Sequence, residues 1–340
     1  GGTNQVISSV RDKNHPPVVI APLIFVSTAL TNLGGGSAGR EGASLQLGGS
    51  IGSAVGKLFR FDEKDMSVVV MCGMSSVFSA VFGTPLTAAV FTLEVISVGQ
   101  IYYASLLPCL GSSLAAYGIS ISLGAVPERF YGVKVADFNL PSVLRVALLG
   151  VLCALLSMVF CIVMKRSSKL IKSFIKNVYV RILAGSAAVI LLTLICGSQK
   201  YNGTGMSLVE SAVMHGNAQP WDFALKLLFT AISLGVGFRG GEIVPAFAVG
   251  ATFGCVFGGF LGLDPGFAAA VGLIATFCGA VNCPIASIFL SVELFGGEGI
   301  LFFALACAVS FMLSGYYGLY SSQKIIYSKL TARFIDRTAK

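Results

Sequence analysis

The chain has 340 residues, of which 55% are hydrophobic and only 11% charged, and its mean hydropathy is +0.84. A soluble domain carries about 25% charged residues, so this composition excludes a soluble enzyme or nucleic-acid-binding module and leaves an integral membrane protein. The net charge is +8, a modest surplus whose placement matters more than its size.

Residues 1–16 are polar and led by glycine, and Pro17 to Leu33 is the first apolar span. A glycine-rich stretch at 34–56 follows, then the polar turn Arg60-Phe61-Asp62-Glu63-Lys64-Asp65. Met66 to Val98 is apolar but interrupted near Gly83-Thr84-Pro85, which predicts two short helices. Ile101 to Val126 is a span, Pro127–Pro141 a polar loop, and Ser142 to Met164 another span. Six basic residues from Lys165 to Arg181, with no acid among them, are read as a cytoplasmic loop, as is the basic group Lys324, Lys329, Arg333, Arg337 and Lys340. Ile182 to Cys196 spans again, and Gln199 to Pro220 is a polar interval. Trp221 to Gly237 leads into Gly-Phe-Arg-Gly-Gly-Glu-Ile-Val-Pro at 237–245, and helical runs follow at 246–262, 265–281, 284–295 and 299–319. The nine cysteines stand singly without a CxxC spacing, and the two histidines lie in polar loops far apart, so the sequence offers neither a disulfide frame nor a metal centre.

The stretch at 34–56 carries most of the information. Arg40 and Glu41 lie between Gly39 and Gly42, with spans long enough to cross a bilayer on both sides. Ionisable groups at membrane depth are costly and mark functional sites. The residues after Glu41 read as a helix with a small-residue face at Gly48, Gly49, Gly52 and Gly56. A helix starting there directs free amides and its positive dipole end at whatever lies beside Glu41, which is a plan for an anion site.

Shifting the chain by 202 residues lays Gly39, Ala43, Gly48, Gly52 and Gly56 on Gly241, Pro245, Gly250, Gly254 and Gly258, and a shift of 199 lays Gly73, Phe78, Pro85 and Glu94 on Gly272, Phe277, Pro284 and Glu293. The expected fold is therefore an all-α polytopic membrane protein of two inverted-topology repeats, whose broken, tilted helices meet at the bilayer midplane. Residues 1–130 form the first repeat, 131–319 the second, and 320–340 a final short helix and basic tail. Because 141–202 has no counterpart in the first half, about two spans are expected to be missing at the N-terminus.

These residues resemble the CLC family of chloride channels and anion/proton antiporters over the whole chain. Gly39-Arg40-Glu41-Gly42 is similar to the family's Gly-Arg/Lys-Glu-Gly-Pro signature, with Ala43 at the proline position. Gly240-Gly241-Glu242-Ile243-Val244-Pro245 is similar to its Gly-x-Phe-x-Pro signature, with Ile243 for phenylalanine. Tyr327 matches the tyrosine that lines the central anion site, and Gly1-Gly2-Thr3-Asn4 is a degenerate Gly-Ser-Gly-Ile-Pro. The Gly-Gly-Glu-x-x-Pro form resembles the fluoride-exporting branch. The resemblance implies a homodimer with one pore per subunit, Glu41 as gate and proton carrier, and Glu242 in proton coupling. Gly1, Gly2, Thr3, Gly39, Arg40, Gly42, Ile243, Val244 and Tyr327 would line the anion site. It also implies transport of chloride or fluoride and protons without a cofactor, in the bacterial inner or plasma membrane. The second proton glutamate of the chloride exchangers would follow Glu94, where this chain has Val95.

Plainer roles stand beside these. Glu41 could pair with Arg40, Glu242 with Arg239, and Arg40 could anchor broken backbone. Glu94 and Glu293, at matched places, are expected to be buried hydrogen-bonded structural acids. Ser37 and Thr3 are hydroxyl candidates, and Tyr316, Tyr317 and Tyr320 are assigned to the membrane interface. A passive chloride channel is the alternative function. An intramembrane enzyme built on Glu41 and Glu242 lacks a nucleophile motif, and a cation transporter lacks acids for a cage.

Overall fold

The structure, a computed structural model, describes residues 2–12, 15–331 and 333–340. Helix α1 is Thr3–Ser9, α2 Ile20–Leu33, α3 Glu41–Leu58, α4 Glu63–Phe82, α5 Pro85–Glu94 and α6 Leu106–Ser122. Then come α7 Leu140–Phe174, α8 Val178–Cys196, α9 Met206–Met214, α10 Asp222–Val236, α11 Ile243–Phe260, α12 Pro265–Val281, α13 Pro284–Phe295 and α14 Ile300–Leu313. A 3₁₀ turn at Tyr103–Ser105 leads directly into α6, and the described residues also hold three short strands, β1 Ser97–Val98, β2 Lys324–Tyr327 and β3 Phe334–Thr338. Among the described residues, five helical stretches are long and apolar enough to cross a membrane: Glu63–Phe82, Tyr103–Ser122, Leu140–Phe174, Val178–Cys196 and Ile243–Phe260.

The matched elements have matched shapes. Both α3 and α11 run 18 residues and start 202 positions apart. Both α5 and α13 open on a proline, whose missing N–H costs nothing in a first turn. The break at Gly83-Thr84-Pro85 is real: α4 ends on Gly83 in the left-handed region before α5 begins. The helices α3 and α4 cross where Gly48 meets the Gly73 carbonyl, and α11 crosses α12 where Gly250 and Gly254 meet Gly272. A Cβ at any of these glycines would press into the partner backbone, so small residues set the interhelical distance.

Glu94 and Glu293 tie α5 and α13 together. The Glu94 carboxylate, at the end of α5, accepts from Ile285 N–H at 3.2 Å and Ala286 N–H at 2.8 Å in the first turn of α13. Glu293, near the end of α13, accepts from Leu86 and Thr87 N–H, both at 2.9 Å, in the first turn of α5. Each acid satisfies amides that the other helix leaves open. Phe78, Phe91, Phe277 and Phe247 form a continuous run of ring contacts with centroids 5.1–6.1 Å apart, the first two contacts stacked and the last edge-on.

Two expectations are corrected. The basic segment after Met164 is not a loop up to Arg181, since α7 carries Lys165, Arg166, Lys169 and Lys172 as helix through Phe174. No glycine or proline interrupts residues 165–174, and the exposed side chains of Arg166, Lys169 and Lys172 can reach polar surroundings from a helix end, whereas Lys165 Nζ is buried. The chain then turns at Asn177, whose side chain caps α8 by accepting from Tyr179 and Val180 N–H. The tail, 320–340, holds no final helix among its described residues. In its place β2 pairs antiparallel with β3 and parallel with β1. Lys324-Ile-Ile-Tyr is rich in β-branched and aromatic residues, and burying Ile325 completely favours a strand.

Candidate halide site

The two glycine-led loops meet. Gly39 N–H donates to the Gly241 carbonyl at 2.9 Å and Gly241 N–H donates to the Gly39 carbonyl at 2.8 Å, an isolated antiparallel bridge. Immediately after it, α3 and α11 begin, and neither Arg40 nor Glu242 caps its own helix with its side chain. The starts of both helices therefore lie together with open first-turn amides.

Glu41 is fully buried at this junction. Its Oε1 accepts from Ile243 N–H and, at 3.2 Å, from Val244 N–H, both in the first turn of the opposite helix α11. Oε2 is buried without a hydrogen-bond partner among the described residues. A Cβ at Gly39 or at Gly241 would overlap the carboxylate, so both glycines are what admit it. A carboxylate on a helix N-terminus stands where a small anion would bind. Glu41 does not pair with Arg40. That side chain is 59% exposed and its Nη2 lies 3.7 Å from Glu128 Oε1, directed away from the helix junction.

Beside Glu41 is a cavity of about 190 Å³, lined by Gly2, Thr3, Asn4, Gln46, Gly42, Arg239, Gly240, Gly241, Glu242, Leu319 and Tyr320, among others. Half-buried Glu242 faces it with no ion pair to Arg239 among the described residues. Thr3 Oγ1 donates to the Gly42 carbonyl at 3.4 Å and Gln46 Nε2 to the same oxygen at 2.9 Å, which fixes the floor of the cavity. Ser37 lies outside it, turned to Thr230 and Lys226. Gly1 lies outside the described residues.

Tyr327 is not in this cavity. It is 47% exposed on β2, its ring edge-on to Phe334 at 5.9 Å. The cavity's tyrosine is Tyr320, only 5% exposed, seven positions earlier and assigned above to the membrane interface. Residue order around Lys324-Ile-Ile-Tyr matched a motif, but burial decides which tyrosine faces inward. Gln46 and Asn4 were also missed. Gln46 had a signal, since an amide in a helix of glycine and small residues must find a buried partner.

Comparisons with known proteins point one way. Residues 1–315 match the family described as voltage gated chloride channel. The chain is 35% identical over 336 residues to a chloride/fluoride channel protein of Pseudomonas syringae pv. tomato, covering 96% of this chain and 74% of that one. It is 26% identical over 279 residues to an H⁺/Cl⁻ exchange transporter of Vibrio cholerae, covering 75% of this chain and 58% of that protein. Among solved structures, a CLC-type fluoride/proton antiporter superposes with a TM-score of 0.91 at 32% identity, covering 95% of this chain and 82% of that one. A slow cyanobacterial Cl⁻/H⁺ antiporter shares the fold, with a TM-score of 0.77 at 20% identity.

Proposed function

We propose, from the premise that this chain belongs to the voltage-gated chloride channel family, that it is a proton-coupled halide transporter of fluoride type. The family is one of membrane channels and exchangers, which sets aside the enzyme reading. One observation carries the proposal: Glu41 already occupies the amides at the start of α11 that an anion would use. Hydrogen bonds from neutral donors to a charged group are worth about 1.5–3 kcal/mol each. A halide that takes those amides must displace the carboxylate, and a displaced carboxylate gains a proton more readily. Each ion then changes the affinity for the other by the same factor.

Glu242, in the adjoining cavity, is the second proton station in this reading. The two halves, 1–130 and 131–319, are inverted repeats whose helix starts share one anion. The antiparallel bridge between Gly39 and Gly241 and the reciprocal caps of Glu94 and Glu293 support that division. The likeness to the fluoride/proton antiporter favours fluoride. The protein acts as a homodimer in the cell membrane, each subunit with its own path. A passive channel is the second reading, favoured by Val95 at the place of the exchangers' intracellular glutamate.

The test is efflux from liposomes holding the full-length protein, with fluoride, chloride and pH followed together. Fluoride-driven proton uptake that Glu41→Gln abolishes is the expected result. Halide flux without proton movement in the unmodified protein would establish the channel reading instead. Glu242→Gln should also lose coupling, and unchanged exchange would reduce Glu242 to scaffolding.

A further inference from the structure

Lys226, on α10, has no exposed surface. Its Nζ donates to Ser37 Oγ at 2.8 Å, to the Gly203 carbonyl at 2.9 Å and to the Tyr201 carbonyl at 3.0 Å. Thr230 Oγ1 lies 2.9 Å from the Lys226 carbonyl, to which it can donate. The Ser37 and Thr230 hydroxyls lie 2.9 Å apart, and either can be the donor across that gap. The three oxygens around Nζ match the three N–H donors of an ammonium, so the pocket suits Lys226 in its charged form.

That cation has no fixed counter-ion among the described residues. Asp222, one turn earlier on α10, is engaged by Lys200 Nζ at 2.7 Å, by Tyr201 Oη at 2.6 Å and by Gln219 N–H at 2.9 Å. A buried charge left unpaired costs several kcal/mol. Ser37, which accepts from Lys226, lies four residues before Glu41 in the loop leading to the gate. The same loop is pinned by Gly203, whose carbonyl also accepts from Ala38 N–H at 3.1 Å. The charge of Glu41 acts on Lys226.

We propose that Lys226, in its charged form, is the counter-charge of the anion site, so that the site then holds a negative charge, either the Glu41 carboxylate or a transported halide. Lys226 touches neither and is a positioning residue. An empty site with protonated Glu41 would leave the ammonium unbalanced, so Glu41 takes up its proton only as a halide arrives. Lys226 thereby suppresses the slippage that would uncouple the two ions. The inference rests on Glu41 as the movable carboxylate.

The experiment uses the full-length protein, with fluoride binding read by calorimetry and fluoride efflux followed from acid to neutral pH in liposomes. Arg40 acts on Glu41 from beside it, Glu41 in turn acts on Glu242 at the start of α11, on Lys226 on α10 and on Tyr320 across the cavity, and Lys165 on α7 acts on Glu242. Removing the cation makes Glu41 easier to protonate. Lys226→Gln should therefore weaken fluoride binding about tenfold or more and move the pH midpoint of efflux upward by about one unit. Ser37→Ala, which loses one bond and keeps the charge, should leave both within about twofold. In the Glu41→Gln background the pH shift should vanish while the loss of affinity persists. A second measurement does not depend on Lys226→Gln folding. Glu41→Gln alone leaves the ammonium unbalanced, so its melting temperature should rise more steeply with added fluoride than that of the unmodified protein. Wild-type affinity and midpoint in Lys226→Gln would overturn the proposal, as would equal fluoride stabilisation in Glu41→Gln and the unmodified protein. Retention of proton coupling in Glu41→Gln would instead defeat the gate assignment on which it rests.

Discussion

At the scale of single residues, the site depends on what is absent as much as on what is present. Gly39 and Gly241 leave room for one carboxylate, and a methyl group on either would collide with it. Overpacking of this kind costs about 1–3 kcal/mol, enough to move the Glu41 side chain out of its place. Gly241→Ala should therefore imitate Glu41→Gln, losing proton coupling while halide flux continues, and dual recording of halide and pH in liposomes checks it. The two tyrosines give a sharper contrast. Tyr320→Phe removes a hydroxyl from a residue lining the cavity and should weaken halide binding several-fold, whereas Tyr327→Phe should leave affinity within about twofold; calorimetry separates them. The placement of Glu41 and its glycines at the junction of two helix starts was legible in the sequence, because an acid between glycines and between apolar spans has few bland explanations. Tyr320 was not legible, because a tyrosine just beyond an apolar helix looks the same whether it faces headgroups or a cavity. Lys226 was equally hidden: one lysine within the apolar run 221–237 suggests snorkelling, and only the three converging acceptors show that it stays inside.

At the scale of elements, the caps exchanged between α5 and α13 hold the central helices in register. Glu293→Ala leaves the amides of Leu86 and Thr87 without their acceptor, and Glu94→Ala does the same to Ile285 and Ala286. Each should lower stability by about 1–2 kcal/mol, the range of a lost helix cap, seen as a lower melting temperature in detergent. The helix pairs were readable because glycine, proline and glutamate recurred at nearly constant offsets, and the structure returns the starts of α3 and α11 at that offset. The helical continuation of α7 and the strand at 324–327 were not readable from charge and motif alone. A run of lysines fits a loop or an exposed helix end equally well, and a four-residue strand is decided by its partners in β1 and β3.

At the scale of the whole molecule, the exposed apolar side chains Leu86, Leu107, Leu114, Ile285 and Phe289 lie on α5, α6 and α13, around the pair of capped helices. If the protein is a homodimer in which each subunit carries its own path, dimers mixing one normal and one Glu41→Gln subunit should show about half the proton uptake of normal dimers. A mixed dimer with none would mean that the two paths act as one. The exchanged caps also bear on how the protein is made. Leu86 and its acceptor Glu293 are 207 residues apart, and ribosomes add about 5–20 residues per second. The first turn of α5 therefore waits on the order of 10–40 s in the translocation machinery, its amides dependent on water or chaperoning protein until the second half emerges. A messenger cut between the halves should yield a first fragment that is degraded when made alone and survives when the second is translated beside it.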